Sequence, residues 1–217
     1  MKTGRTIQEM AVEIMRQSKA KEDYLVNTGS LVMEVWDGQP MLHLRDAGGS
    51  ELVDPLDIQS TAHQQIGDYL EIPRKYYRRM LGEDAELLAY NVNRWFQQKP
   101  EQRMIRTMDG RARAFLSNRY RRIDNLDIAT ITLPIIGEMK DVIYASCELT
   151  EDYMYIKAVN PRLTAEVVPG DVVQGGVIIT NSETGHGSVC VQPLIYRLVC
   201  SNGMVVNDAK ARRYHVG

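Results

Sequence analysis

The spacing of hydrophobic positions changes along this chain from helical to strand-like. Ile7, Met10, Ala11, Ile14 and Met15 recur at helical spacing behind Thr6-Ile-Gln-Glu9, a capping box, which predicts an amphipathic first helix to about residue 18. Residues 31–36 (LVMEVW) and 41–45 (MLHLR) read as short strands joined by Asp37-Gly38-Gln39-Pro40 as a hairpin connection. Asp54-Pro55 then predicts a helix start, with Ile58, Ala62, Ile66, Tyr69 and Leu70 on the buried side. Pro73 begins a short helical piece over 74–79 that Gly82 closes. Asp84 caps a further helix with Leu87, Leu88, Val92, Trp95 and Phe96 inward, and Pro100 ends it.

Residues 101–127 alternate around Asp109-Gly110, a pair suited to the positive φ angles of a type I′ hairpin. A regular register would pair Met108 with Arg111, Arg106 with Arg113 and Met104 with Phe115. It would leave Ile105, Thr107, Ala112, Ala114 and Leu116 on the opposite, buried face. Asp124 or Asn125 next caps a helix bearing Leu126, Ile128, Ala129, Ile131 and Ile135, which Pro134 should kink or end. Strands follow over 141–149, 153–159 and 172–180, the last after a turn at Pro169-Gly170-Asp171, and over 188–192. Pro193 predicts a short final helix with Leu194, Ile195, Leu198 and Val199 inward, ended by Asn202-Gly203, before Lys210, Arg212, Arg213 and Tyr214. The fold class is therefore α+β: N-terminal helices and a small hairpin, a central basic β-hairpin followed by a helix, and C-terminal, mainly antiparallel strands. No repeat or linker breaks the chain. It reads as one domain over 1–217, helix-rich to 100, whose end has the texture of a piece of a longer protein.

Charge changes this picture most. The chain holds 26 Lys and Arg against 28 Asp and Glu. Seven of the arginines fall between 103 and 122, with Asp109 the one acid there. Like charges directly across a strand pair are destabilising, so an Arg106–Arg113 pair calls for an anion between them. Guanidinium groups fork onto phosphates, and neighbouring aromatic surface suits stacked bases. The candidate nucleic-acid contacts are therefore Arg106, Arg111, Arg113, Phe115, Arg119, Tyr120, Arg121 and Arg122. Arg74 and Lys75, in a run of four basic residues and two tyrosines, add a second set. A solvated charged strand and a surface helix are the plainer alternatives.

Other chemistry is sparse. Three cysteines without CxxC spacing read as reduced thiols of a cytoplasmic protein, and four scattered histidines suggest no zinc site. No apolar run approaches the ~20 residues of a membrane span, and no secretory signal is apparent at the N-terminus. Asp127 with Glu138 and Lys140 loosely matches a metal-dependent nuclease pattern, but Glu138 falls at a helix end. Glu183 and His186 share a glycine-rich loop and form an acid–base option, although a strand connection is the simpler reading. Nothing here demands an enzyme or a cofactor.

The run from Arg106 to Asn125, RTMDGRARAFLSNRYRRIDN, resembles a prophage and plasmid family known as phage/plasmid-like proteins, a domain of unknown function. Ile179-Thr-Asn-Ser-Glu183 and Tyr196-Arg-Leu-Val-Cys-Ser-Asn-Gly203 extend the resemblance in the same order. A wider analogy is to phage single-strand annealing proteins of the Redβ/RecT type. In those, a hairpin and a basic groove bind single-stranded DNA on a ring or filament. That analogy implies single-stranded DNA binding, annealing and recombination without catalysis, in a homo-oligomer that does not engage membranes. A metal-dependent nuclease, or another enzyme that processes nucleic acid, is the alternative.

Overall fold

The computed structural model describes residues 4–46, 48–169, 171–197, 203–205 and 211–215. It is a mixed α+β fold that divides into two compact units, residues 20–120 and residues 1–19 with 121–217.

The unit of residues 20–120 is a six-stranded sheet with helices on one face. Its strands are β1 (Lys21–Asn27), β2 (Leu31–Trp36), β3 (Gln39–Leu44), β4 (Leu56–Ile58), β5 (Gln102–Met108) and β6 (Arg111–Ser117), in the order β1-β5-β6-β4-β3-β2. Its helices are α2 (Ser60–Tyr69), α3 (Arg74–Glu83) and α4 (Ala85–Gln98). Leu88, Val92 and Phe96 of α4 pack with Leu31, Met33 and Leu42 of the sheet. Gly67 lets α3 approach α2, because a Cβ there would lie 2.9 Å from Tyr77 Cδ2.

Four expectations are corrected here. Residues 21–27, given no element above, form β1 and pair with β5 from Lys21↔Met108 to Asn27↔Gln102. The basic hairpin is therefore inside the sheet. The helix expected at Asp54-Pro55 begins instead at Ser60, because Leu56 and Ile58 are buried as strand β4, parallel to β6. Leu87 and Trp95 point outward, 39% and 48% exposed, while the stripe of Leu88, Val92 and Phe96 faces the sheet. The hairpin register holds only at the turn, where Asp109 and Gly110 take φ of 51° and 73° and Met108 pairs with Arg111. Thr107 pairs with Ala112 but Arg106 with Ala114, so Arg113 is an extra residue in a bulge. Phe115 thereby joins Ile105 and Ala112 in the main core, while Ala114 and Leu116 pack with Met104 and Tyr120 in a separate cluster.

Buried between α2 and α3, His63 Nδ1 lies 2.9 Å from the Tyr77 hydroxyl. Burial lowers the His63 pKa from the ordinary 6.5 to about 4, and it pushes the Tyr77 phenol up. Between those two values the unfolded chain binds a proton that the folded chain does not. Stability should therefore fall as pH drops from 6.5 to about 4. Denaturant melts across that window should show the loss, and His63→Gln should flatten it.

The second unit holds α1 (Ile7–Ala20), α5 (Asn125–Gly137) and a sheet of β7 (Ile143–Leu149), β8 (Met154–Glu166), β9 (Val172–Asn181), β10 (Val189–Arg197), β11 (Gly203–Val205) and β12 (Ala211–Arg213). The order is β11-β10-β9-β8-β7, with β12 also on β10, and the pairings are antiparallel. The Thr6–Glu9 capping box forms as expected, and α5 carries Pro134 within it. The helix expected at Pro193 is instead the middle of β10. The reason lies in the pairing: β12 covers Val189–Val191 and β11 covers Leu194–Tyr196. Pro193 falls between those two covered segments and opposite Val177 of β9. Gly170, Leu198, Val199, Asn202 and Lys210 lie outside the described residues.

Candidate nucleic-acid interface

The arginines of the hairpin separate into buried and exposed groups. Arg106 is 1% exposed and forks onto Asp23 across the β1–β5 pair, Nε to Oδ1 at 2.8 Å and Nη2 to Oδ2 at 3.3 Å. Arg113, in the bulge, is 3% exposed. The expected Arg106–Arg113 opposition does not exist, so no anion is needed between them. Phe115 is a core residue stacked on Phe96 at 5.9 Å between ring centroids, and Tyr120 is buried as well. Arg111 is exposed and lies 3.4 Å from Asp57. Arg119, Arg121 and Arg122 are exposed in the segment that leaves the hairpin, but the aromatic residues beside them are not.

Helix α3 presents the second basic set on its surface. Tyr77 and Met80 turn inward, which places Arg74, Lys75, Tyr76, Arg78 and Arg79 outward. Arg74 forks onto Asp68 at 3.1 and 2.9 Å, and Arg79 pairs with Glu83 at 2.8 Å. Lys75 and Arg78 make no ion pair among the described residues. The same is true of Arg94 on α4, whose outer surface also carries Tyr90 and Trp95. Arg78 belongs to the basic run over 74–79 that the sequence singles out, whereas Arg94, Tyr90 and Trp95 of α4 were not among the candidate contacts. The outward signal for Tyr90 and Arg94 was available, since both fall opposite the stripe of Leu88, Val92 and Phe96. Trp95 falls on the flank of that stripe, where spacing alone does not decide.

The acid–base option of the second unit is built into a polar network. Asn181 Nδ2 donates to Ile123 O at 3.0 Å and to Asn125 Oδ1 at 2.9 Å, and its Oδ1 lies 3.1 Å from His215 Nε2. The buried Glu183 carboxylate accepts the Asn125 N–H at 2.7 Å, in the first turn of α5, where a helix dipole favours an anion. His186 Nε2 lies 3.6 Å from Asp152 Oδ1, which also accepts from Thr184 Oγ1 at 3.1 Å. Asp127 accepts the Asp124 N–H at 3.1 Å in the capping box of α5, a structural use of that carboxylate. These bonds fix the start of α5 and the loop after β9.

Among the described residues no helix is long and apolar enough to cross a membrane. No curated protein and no solved structure matches this chain. Residues 113–216, from the bulge of β6 through α5 and the second sheet, match the model of a family described as a domain of unknown function (DUF932).

Proposed function

We propose that this protein binds single-stranded nucleic acid without chemistry, and that the outer surfaces of α3 and α4 carry the strand. One observation supports this reading above the others. Lys75, Arg78 and Arg94 are exposed cations with no ion pair among the described residues, on the two helices that also expose Tyr76, Tyr90 and Trp95. Unneutralised cations take phosphates, and exposed rings stack on unpaired bases of any sequence. The hairpin exit has cations but no exposed ring, which makes it the weaker surface. Annealing belongs to the same reading, and with it assembly into a ring or filament, because strand pairing needs a groove longer than one subunit. The resemblance of residues 106–125 to phage and plasmid proteins suggests DNA of a mobile element as the target.

Three phosphates neutralised on a single strand give a slope of log affinity against log salt of about −2. Fluorescence anisotropy of a labelled oligothymidylate over a salt series should return that slope. A flat response, or no binding at low salt, would remove the proposal.

A further inference from the structure

Beside Trp95 the unit of residues 20–120 holds a cleft of about 600 Å³, lined also by Tyr69, Glu71, Gln98, Lys99 and Glu101. Sites for small molecules and single nucleotides fall in this size range. Tyr69 is fixed in place: Arg103 lies over its ring at 3.9 Å, and its hydroxyl donates to Lys99 O at 3.2 Å. Glu101 has its counter-charges, accepting from Arg103 Nη2 at 3.1 Å and lying 3.9 Å from Lys99 Nζ. Glu71 is different, for it makes no ion pair among the described residues.

The backbone gives a second, independent observation at Glu71. Its φ is 57°, in the left-handed region, directly after α2. The Glu71 N–H donates to Asp68 O at 3.3 Å and the Ile72 N–H to Gly67 O at 3.0 Å, closing the helix as a glycine C′ residue usually does. A side chain at that position is strained where glycine is not. What the glutamate adds is a carboxylate on the wall of the cleft.

We propose that this cleft is a base pocket for guanine within a bound single strand. This rests on the single-strand reading above and adds a base preference to it. Trp95 supplies the stacking surface. The Glu71 carboxylate accepts the adjacent N–H donors of the guanine Watson–Crick edge as a pair, and Gln98 can donate to its carbonyl. Thymine turns carbonyl oxygens towards that carboxylate and is disfavoured. Strain at Glu71 is then retained for recognition.

The chain has two tryptophans, so Trp36→Phe leaves Trp95 as the reporter indole. That variant is titrated with an oligothymidylate and with the same oligomer carrying one central dG. The guanine-bearing strand should bind about tenfold tighter and quench Trp95 more strongly. Glu71→Gln should lose that preference. Glu71→Gly should lose it while raising the melting temperature, which separates recognition from folding. Equal affinity for the two strands, or a preference retained in both Glu71 variants, overturns the pocket and leaves the single-strand reading standing. No binding of either strand at low salt overturns both.

Discussion

Arg106→Met should cost about 3–5 kcal/mol in denaturant melts. The substitution keeps most of the side-chain volume and removes the charge. What remains is Asp23, its side chain 10% exposed, facing an apolar group across the β1–β5 pair. A carboxylate so placed that loses its fork to Arg106 recovers little hydration, and that penalty exceeds what the ion pair itself contributes. Arg106→Met combined with Asp23→Leu should therefore recover much of the loss, because an apolar pair replaces the ionic one. A single variant as stable as the parent would mean that the guanidinium is not held by Asp23. It would also revive the like-charge picture, in which neutralising an arginine of this hairpin relieves repulsion.

Asn181→Ala should be nearly as damaging, on the order of 3–5 kcal/mol. Asn181 is fully buried and joins three parts of the chain: Ile123, Asn125 at the start of α5, and His215 after β12. Truncation leaves the Ile123 carbonyl, Asn125 Oδ1 and one His215 ring nitrogen to seek new partners in the interior. Each group so stranded costs about 1–3 kcal/mol. Hydrogen exchange should report where the loss falls, with amides in the first turn of α5 losing protection before those of β9. Unchanged exchange in α5 would contradict the part given to this side chain. The same network takes in the Glu183 carboxylate, which accepts the Asn125 N–H at the start of α5.

Much of this was legible in sequence because the determinants are local. The Thr6–Glu9 box, the Asp84 cap, the Asp109-Gly110 turn and the alternation of the later strands each depend on residues within a few positions of one another. What sequence did not reveal depends on distant partners. The seven residues of β1 form a strand because β5 lies alongside, and Leu56-Asp-Ile58 extends because β3 and β6 flank it. One extra residue at Arg113 exchanged the faces assigned to Phe115 and Ala114, since side-chain direction in a strand reverses with each residue. Charge segregation located the arginines correctly but could not tell that Asp23, far away in the chain, would bury Arg106. Surface cations on α3 were legible as a run. Arg94 and the outward rings of α4 needed the core stripe to be placed first.

The central claim is that phosphates meet α3 and α4 and not the hairpin exit. Salt titrations of single-strand binding by Lys75→Gln/Arg78→Gln and by Arg119→Gln/Arg121→Gln test it most directly. All four side chains are exposed, so neither pair should disturb the fold. Each phosphate contact removed makes the slope shallower by about 0.7, so the first pair should lose about 1.4 and the second nothing. A full slope in the first pair, or the loss appearing in the second, would contradict the account.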